Sequence, residues 1–405
     1  EAWKRVRGEG ARRIAVAPPG VAEGLLEPVQ AVETAVEAAL LTSYRFSRYK
    51  RPDDEGEAEL LISGPDEAAA SVERGIAVGR ARSEATCFAR DLVNTAPSDL
   101  TPLELAAAAR TMAEECGLRC HVMDEAELRE RGFDLLLAVN RGSASPPALI
   151  VLEHRGGQGR SVGLVGKGVC FDSGGLSIKT ADGMMTMKGD MSGAAAVLGA
   201  MRAIATLAVP LNVTAVIPAV QNLVDAGSMM PGDVVTGLAG KSVEILNTDA
   251  EGRLILADAL TYATRELGLT PVIDIATLTG ACMRALGPVY AGVMGTDGRL
   301  VERLRQVGGQ AGEKFWELPL DEEFGELMKS PIADLRNISK EAGGGASTAA
   351  MFLREFVGET PWAHLDIAGQ GLNDTDRPYR PRGASGYGTR TLINLILSLA
   401  KAPLG

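Results

Sequence analysis

Strands and helices alternate along most of this chain, and this alternation restricts its fold more than any other feature. Apolar runs predict strands at residues 58–63, 118–123, 148–152, 161–169, 212–218, 272–277 and 363–367. Helical patterns occur at residues 23–49, 66–93, 192–207, 251–267, 300–311 and 389–400, and a further helix begins at Pro102. Because helices of ten or more residues separate many of the strands, the sequence predicts an α/β fold with a mostly parallel sheet flanked by helices.

The first 90 residues differ from the remainder because they gather no groups typical of a chemical site. They are rich in Ala, Glu and Arg, and a charged turn is predicted over Arg51–Glu57. The loop from Asn94 to Pro102 is the candidate domain boundary, to within about ten residues. We expect a smaller α/β domain over residues 1–90, incomplete at its start because Glu1 is not an initiator Met, and a larger domain over residues 91–405.

The composition excludes several classes of protein. Hydrophobic residues make up 46% and charged residues 23% of the chain, as in ordinary globular proteins. The net charge of −11 argues against a broad electrostatic interaction with nucleic acid or an anionic membrane surface. No run of about 20 apolar residues predicts a membrane span. Five scattered cysteines indicate a reducing, cytoplasmic compartment.

Histidine is too scarce for most zinc sites. The chain has only His121, His154 and His364, so a zinc protease of the H-E-x-x-H kind is excluded. Cys116 and Cys120 lie beside His121 like half of a zinc site, but no second Cys/His pair follows at the required spacing. We favour the end of an amphipathic helix that turns into a strand, and we expect His364 to be a core histidine.

Polar side chains cluster instead at three predicted strand ends, which is where α/β sheets bind their ligands. These side chains are Lys167, Asp172 and Lys179 in the first segment, Asp190 in the second, and Asp249, Glu251 and Arg253 in the third. A phosphate loop would need Ser or Thr after Lys167, where Gly168 stands, and Phe171 breaks a dinucleotide fingerprint. A nucleotide site is therefore not favoured.

The four carboxylates favour a metal site. Together they could hold two divalent cations about 3.5–4 Å apart, and oxygen ligands suit Mn²⁺ and Mg²⁺, with Zn²⁺ also accepted. Asp249 and Glu251 are two residues apart, so an extended backbone would point both side chains to one side. The alternative is that these acids are surface charges at helix N-termini, where acids are favoured anyway. Their position in glycine-rich turns, beside two lysines and an arginine, argues against that alternative for the whole set.

These segments resemble the signatures of a known family. Gly166–Gly175 has the pattern G-K-G-x-x-F-D-S-G-G, and Asn247–Leu254 reads N-T-D-A-E-G-R-L. Both resemble the leucyl aminopeptidase (M17) family, also called cytosol aminopeptidases. The resemblance continues through Ile275–Gly280, Ser347–Ala350 and Trp362–Gly369, so it covers roughly residues 90–400.

The resemblance implies a dimetal-dependent aminopeptidase that removes leucine and other apolar residues from the N-termini of peptides. The ions would be Mn²⁺, Zn²⁺ or Mg²⁺, and a hydroxide bridging them would attack the carbonyl. One metal would be held by Lys167, Asp172, Asp190 and Glu251, and the other by Asp172, Asp249 (side chain and carbonyl) and Glu251. Lys167 would have to be neutral, because an ammonium has no lone pair, so Lys167→Arg should fail.

The resemblance also implies roles around the metals. Lys179 would stabilise the charge that develops on the carbonyl oxygen, and Arg253 would hold a bicarbonate-like anion that carries the proton to the leaving amine. The substrate would contact Met187, Thr277, Leu278 and Gly280, with its α-amine against Asp190. Core packing by Met187 and a simple helix cap at the 277–280 turn stay open as alternatives.

The resemblance further implies a cytoplasmic homohexamer acting on peptide substrates, with no membrane partner. Two other readings stay open. A DNA-binding architectural protein of the same family would use Arg clusters such as Arg377–Arg382, although the acidic balance makes nucleic acid an unexpected partner. An inactive relative is disfavoured because every ligand position is filled.

Overall fold

The computed structural model describes residues 2–18, 27–51, 58–64 and 68–404, and within them the chain is α/β. Its strands are β1 (Arg13–Val16), β2 (Glu59–Ile62), β3 (Arg119–Met123), β4 (Ala148–Arg155), β5 (Val162–Gly166), β6 (Gly168–Asp172), β7 (Asn212–Asn222), β8 (Val234–Thr236), β9 (Ser242–Glu244), β10 (Val272–Ala276), β11 (Ala291–Gly295), β12 (Phe315–Glu317), β13 (Leu335–Arg336), β14 (Trp362–Asp366), β15 (Leu372–Asn373) and β16 (Gly383–Ala384).

The helices lie between and around these strands. They are α1 (Ala2–Gly8), α2 (Pro28–Ser43), α3 (Ala69–Asn94), α4 (Pro102–Cys116), α5 (Glu125–Arg131), α6 (Asp134–Asn140), α7 (Ala181–Met184), α8 (Ser192–Thr206), α9 (Gly252–Thr261), α10 (Gly280–Leu286), α11 (Gly298–Gln310), α12 (Glu322–Glu326), α13 (Gly345–Arg354) and α14 (Thr389–Lys401). A 3₁₀ helix covers Met187–Met191, and a π-helical turn over Tyr262–Glu266 extends α9. Among the residues that the structure describes, none of the helices combines the length and apolar character needed to cross a membrane.

One nine-stranded sheet organises the larger part of the chain. Its strand order is β12-β11-β14-β10-β5-β7-β4-β3, and β6 pairs with β7 beyond the end of β5. Strands β14, β10, β5 and β7 are parallel, whereas β11, β4 and β3 add antiparallel pairs on the two sides. One face packs against α3, α4, α8, α11 and α14, and the other against α6, α9 and α13. The prediction of a mostly parallel sheet flanked by helices is confirmed.

The predicted strand over residues 161–169 is interrupted at Lys167. The backbone N–H of Lys167 donates to Ile275 O (3.1 Å), and its carbonyl accepts from Ala194 N–H (2.9 Å). A Cβ on Gly193 would lie 2.1 Å from Ile275 O, so the start of α8 can approach β10 this closely only with a glycine there. The break separates β5 from β6 and places Lys167 between two strands instead of within one.

Helix α3 joins the N-terminal residues to the main sheet. The side chain of Arg90, 1% exposed, donates to the carbonyls of Leu41, Ser385 and Tyr379, so α3 is tied to both α2 and the C-terminal segment. Strands β1 and β2 form a separate parallel pair. Residues 23–26 of the first predicted helix and most of the charged turn predicted over 51–57 lie outside the described residues. A domain division near residue 90 stays a prediction.

Candidate metal centre

The polar residues predicted from three separate segments meet at the carboxyl edge of the sheet. Asp172 is the last residue of β6, Asp190 lies in the 3₁₀ helix that leads into α8, and Glu251 directly precedes α9. Thr277 follows the end of β10. Since the carboxyl ends of parallel strands share one edge, distant segments of the sequence converge on one site.

Lys167, Asp190 and Glu251 form what we call the inner group. The Lys167 ammonium nitrogen lies 2.8 Å from Asp190 Oδ1 and 2.8 Å from Glu251 Oε1, and all three side chains are at most 6% exposed. Lys167 Nζ also donates to the Thr277 carbonyl (2.9 Å). A Cβ on Gly252 would lie 2.7 Å from this nitrogen, so the first residue of α9 must be small for Lys167 to fit.

Lys179, Asp172 and Asp249 form the outer group. The Lys179 ammonium nitrogen lies 2.7 Å from Asp172 Oδ2 and 2.5 Å from Asp249 Oδ1. The Lys179 side chain is 17% and the Asp249 side chain 33% exposed, so this group reaches solvent while the inner group does not.

The two groups adjoin, because Asp172, Asp249 and Glu251 each offer a carboxylate oxygen within 4.8 Å of the others. The expectation that an extended backbone brings Asp249 and Glu251 together is wrong in its local detail. Asp249 lies in a turn and Glu251 has helical dihedral angles (φ −75°, ψ −36°). The side chains converge because the chain turns into α9, not because of strand alternation.

This arrangement fits divalent cations. Four carboxylates face only two lysines, and the buried oxygens Asp190 Oδ2 and Glu251 Oε2 have no hydrogen-bond partner among the described residues. Burial raises the pKa of Asp172, as does the neighbouring Glu251 carboxylate, against the opposing effect of the lysines. Burial likewise raises the pKa of Asp190 well above its ordinary value. Cations would neutralise this excess of buried negative charge and use the unpartnered oxygens.

Both lysines are charged among these carboxylates. Burial alone would lower the pKa of Lys167, but Asp190, Glu251 and Asp172 together raise it above the ordinary value. The pKa of Lys179 is raised in the same way, mainly by Asp172. The neutral Lys167 expected of a ligand therefore requires the positive charge of bound cations nearby.

Arg253 lies on the first turn of α9 and is almost fully buried. Its Nη1 donates to Asn337 O (2.7 Å), and Nε has no partner among the described residues. Burial lowers the pKa of Arg253 to about 10, so the side chain is cationic at neutral pH. A buried guanidinium with a free donor can hold a small anion.

The predicted substrate contacts surround the same edge. Thr277 Oγ1 donates to Asp190 Oδ1 (2.7 Å), and the side chains of Thr277 and Leu278 are half-buried. Gly280 is exposed at the start of α10, and Met187 is half-buried three residues before Asp190. The neighbouring methionines differ, because Met191 is a core residue whereas Met185 is 74% exposed.

Sequence reasoning missed the residues that support this site. Asn222 Nδ2 donates to Asp172 Oδ1 (2.8 Å) and to Thr248 O (2.9 Å), and Thr248 Oγ1 donates to Gly174 O (2.6 Å). Asn337 Oδ1 accepts from the backbone of Leu246 (2.8 Å), at the start of the turn that carries Asp249. The one sequence signal for Asn222 is a polar pair that ends the apolar strand β7.

The residues set aside as structural do not belong to the inner or the outer group. His364 is fully buried, and its Nδ1 lies 2.6 Å from Asp274 Oδ1, so it is a core histidine. Cys116 ends α4, and Cys120 and His121 lie in β3, as the helix-into-strand interpretation predicts. His121 has Glu127 as its neighbour (3.4 Å).

A mostly parallel sheet with clustered carboxylates and lysines at its carboxyl edge suits a metal-dependent hydrolase. Residues 87–393 match the catalytic domain of the cytosol aminopeptidase family (peptidase M17). The chain belongs to that family and is a metal-dependent aminopeptidase.

The similarity to individual relatives extends over most of the chain. A probable cytosol aminopeptidase of Solibacter usitatus is 48% identical over 366 residues, which cover 90% of this chain and 75% of the relative. One from Geobacter sulfurreducens is 45% identical and covers 98% of this chain and 80% of the relative. Among solved structures, the bottromycin maturation enzyme BotP in complex with Mn has 39% identity and a TM-score of 0.90, covering 98% of this chain and 86% of BotP.

These comparisons give no support to the DNA-binding alternative. Within the Arg cluster considered for it, the Arg380 guanidinium lies over the rings of Tyr379 and Tyr387, 5.4 and 5.8 Å from their centroids. Arg380 also donates to the Gly312 carbonyl, so its charge is engaged inside the protein.

Proposed function

We propose that this aminopeptidase binds two divalent ions and releases leucine and other apolar residues from the N-termini of peptides. The observation that carries the proposal is the joint cluster of inner and outer groups, in which buried carboxylate oxygens lack partners. Mn²⁺ is the first choice of ion because BotP is described in complex with Mn, and Zn²⁺ or Mg²⁺ would suit the same oxygen-rich set.

The residues divide into two ligand sets that share two members. Lys167, Asp172, Asp190 and Glu251 would hold one ion, and Asp172, Asp249 and Glu251 the other. When bound, the ions would lower the pKa of a water to give the nucleophile and would polarise the scissile carbonyl. The shared carboxylates, Asp172 and Glu251, would hold the two ions close together.

Lys179 and Arg253 would perform the remaining chemistry. The Lys179 ammonium lies on the solvent-facing side of the cluster, where a substrate can reach it. Its positive charge would stabilise the negative charge that develops on the carbonyl oxygen. Arg253, whose Nε is free among the described residues, holds a bicarbonate-like anion. When bound, such an anion would supply general acid–base chemistry that moves a proton from the attacking water to the leaving amine, and Arg253 would hold the anion in place.

Five residues around the cluster would recognise the peptide. Asp190 receives the free α-amine, which restricts cleavage to the first residue. Thr277, Leu278 and Gly280 lie along the peptide backbone, and Met187 contributes an apolar surface for the first side chain. Because the relatives are named cytosol aminopeptidases, we also propose that this enzyme acts in the cytoplasm, and we carry over the homohexamer as part of the proposal.

The test is hydrolysis of leucine amide as Mn²⁺, Zn²⁺ or Mg²⁺ is titrated into chelator-stripped protein. We expect saturable activation that is lost in Asp249→Ala, with N-acetylated leucine amide left uncut. Glycine amide in parallel tests the apolar preference. No hydrolysis in the presence of two bound ions per chain would refute the proposal.

A further inference from the structure

Asp366 is completely buried at the end of β14, beside the loop that carries the proposed peptide contacts. Its partner across the sheet is Ala276, the last residue of β10, and the loop begins at the next residue. Asp366 does not belong to the inner or outer group.

The Asp366 carboxylate gathers the donors of this loop. Oδ1 accepts from the backbone N–H groups of Leu278 (3.3 Å), Thr279 (3.4 Å) and Ala368 (3.2 Å). Oδ2 accepts from Thr279 Oγ1 (2.7 Å), and the same hydroxyl accepts from Cys282 N–H (3.0 Å) as the N-cap of α10. One buried carboxylate therefore fixes both the loop backbone and the start of the following helix.

The opposite side of the loop contacts the inner group. Thr277 accepts from Lys167 Nζ through its carbonyl (2.9 Å) and donates to Asp190 Oδ1 through its hydroxyl (2.7 Å). The loop is thus held between Asp366 on one side and the inner group on the other. A shift of its backbone would move Leu278 and Gly280 relative to any peptide bound there.

We propose that Asp366 is a positioning residue that holds the loop 277–279 in the conformation that binds the peptide backbone. This inference rests on the proposed function, because it assigns the loop to substrate. We expect a misplaced loop to raise KM more than it lowers kcat, since a change at Asp366 removes no side chain of the inner or outer group.

The test compares Asp366→Ala with Asp366→Asn. Alanine removes every acceptor but leaves the Thr279 cap of α10, whereas asparagine keeps one acceptor for the loop N–H groups and donates to the Thr279 hydroxyl through its amide. We expect D366A to raise KM for leucine amide about tenfold or more, with kcat changed less than about threefold. D366N should stay within about threefold of the wild type in both constants.

Hydrogen exchange of the metal-free proteins gives a second readout that needs no activity. The amides of Leu278 and Thr279 should exchange about tenfold faster in D366A than in the wild type, and at nearly the wild-type rate in D366N. If D366A does not fold, Thr279→Val against Thr279→Ser replaces the pair, because serine keeps the hydroxyl that Asp366 accepts from.

The inference would be overturned if D366A kept the wild-type KM and the wild-type exchange rates of Leu278 and Thr279 and differed only in a lower melting temperature. Asp366 would then be a structural residue. Equal impairment of D366N and D366A would overturn it as well, because the acceptor that asparagine keeps for the loop N–H groups would then make no difference. A wild type that fails to cleave leucine amide refutes the proposed function instead, and the exchange experiment still decides whether Asp366 holds the loop.

Discussion

The inner and outer groups contain the same chemical types but differ in their access to solvent. Each has one lysine and two carboxylates, yet every inner side chain is at most 6% exposed, whereas Asp249 in the outer group is 33% exposed. The inner group is also bounded by backbone on two sides, at Gly252 and Thr277. We infer from this difference that the inner group mainly shapes the metal site, with Asp190 as its proposed contact to the substrate α-amine, and that the outer group is the more accessible to the substrate.

The largest loss should follow a change inside the inner group. In Lys167→Arg the guanidinium stays protonated, and the close approach of Gly252 leaves no space for it. We expect at least about a 100-fold loss of kcat/KM and fewer than two bound Mn²⁺ per chain. Leucine amide kinetics and metal analysis of the dialysed protein measure both.

Lys188→Arg is the matched control for this variant, because Lys188 lies two residues before Asp190 but donates to Asn94 O, outside the cluster. We expect it to keep wild-type activity. If Lys167→Arg binds two Mn²⁺ per chain and hydrolyses leucine amide at the wild-type rate, the inner group does not have the role that we infer for it.

A change in the outer group should affect rate and spare metal content. Lys179→Met removes the cation that is proposed to stabilise the carbonyl oxygen, so kcat should fall about 10²–10³-fold. Because Asp172 and Asp249 remain, two Mn²⁺ per chain should still bind. Single-turnover rates and metal analysis test this, and loss of one ion together with activity would instead make Lys179 a structural member of the site.

A smaller loss should follow removal of support for the outer group. Asn222→Ala deletes the amide that donates to Asp172 and Thr248, so Mn²⁺ affinity or kcat/KM should fall about 10–100-fold. Asn212→Ala, at the other end of β7, serves as the control because, among the described residues, the hydrogen bonds of its side chain join Gly157 and Gly159, away from the site. Equal effects of the two substitutions would show that the site does not depend on Asn222.

The smallest effect on activity is expected for Asp258, a buried carboxylate on α9 that has backbone donors in place of a lysine. It accepts from the N–H groups of Leu136 (3.0 Å) and Leu238 (2.9 Å), and burial raises its pKa to about 7. In the unfolded chain this carboxyl group has a pKa of about 3.9. Between about pH 4 and pH 7 the folded state therefore binds a proton that the unfolded state does not. This contribution to stability is complete below about pH 4 and is lost as the pH rises through 7.

Asp258→Asn removes that dependence, since its amide stays neutral. The stability of the variant relative to the wild type should therefore increase between pH 5 and pH 8, as measured by urea unfolding of both proteins at each pH. A difference in unfolding free energy that is constant over this range would contradict the assignment.

The sequence predicted the parts of the molecule in which one local pattern dominates. Long apolar runs identified β4, β7, β10 and β14, and the helices α8 and α14 were found nearly to the residue. β11 (Ala291–Gly295) and β12 (Phe315–Glu317) were not predicted, because they are short and β11 carries two glycines. Their position in the sheet comes from pairing with β14 and with each other, which no local pattern records.

The candidate site shows the same limit at the level of side chains. The acids and lysines stood out because charge is unusual at the ends of apolar strands. Asn222 and Asn337 did not stand out. Their amides contact a carboxylate or a backbone group far away in sequence, and before the chain is folded they look like any other polar residues. The Asp249–Glu251 geometry was mispredicted since a turn, not a strand, carries it.

The two lysines have a consequence for how this enzyme acquires its metal. The ammonium groups lie 2.5–2.8 Å from the carboxylates that are proposed to bind the ions, so each lysine would compete with an incoming cation for the same oxygens. On the proposed ligand sets, metal binding would therefore displace ammonium groups from carboxylate oxygens. If Lys167 is a metal ligand, as we propose, it would have to give up a proton, so metal would bind in exchange for protons and its affinity would fall as the surroundings become more acidic.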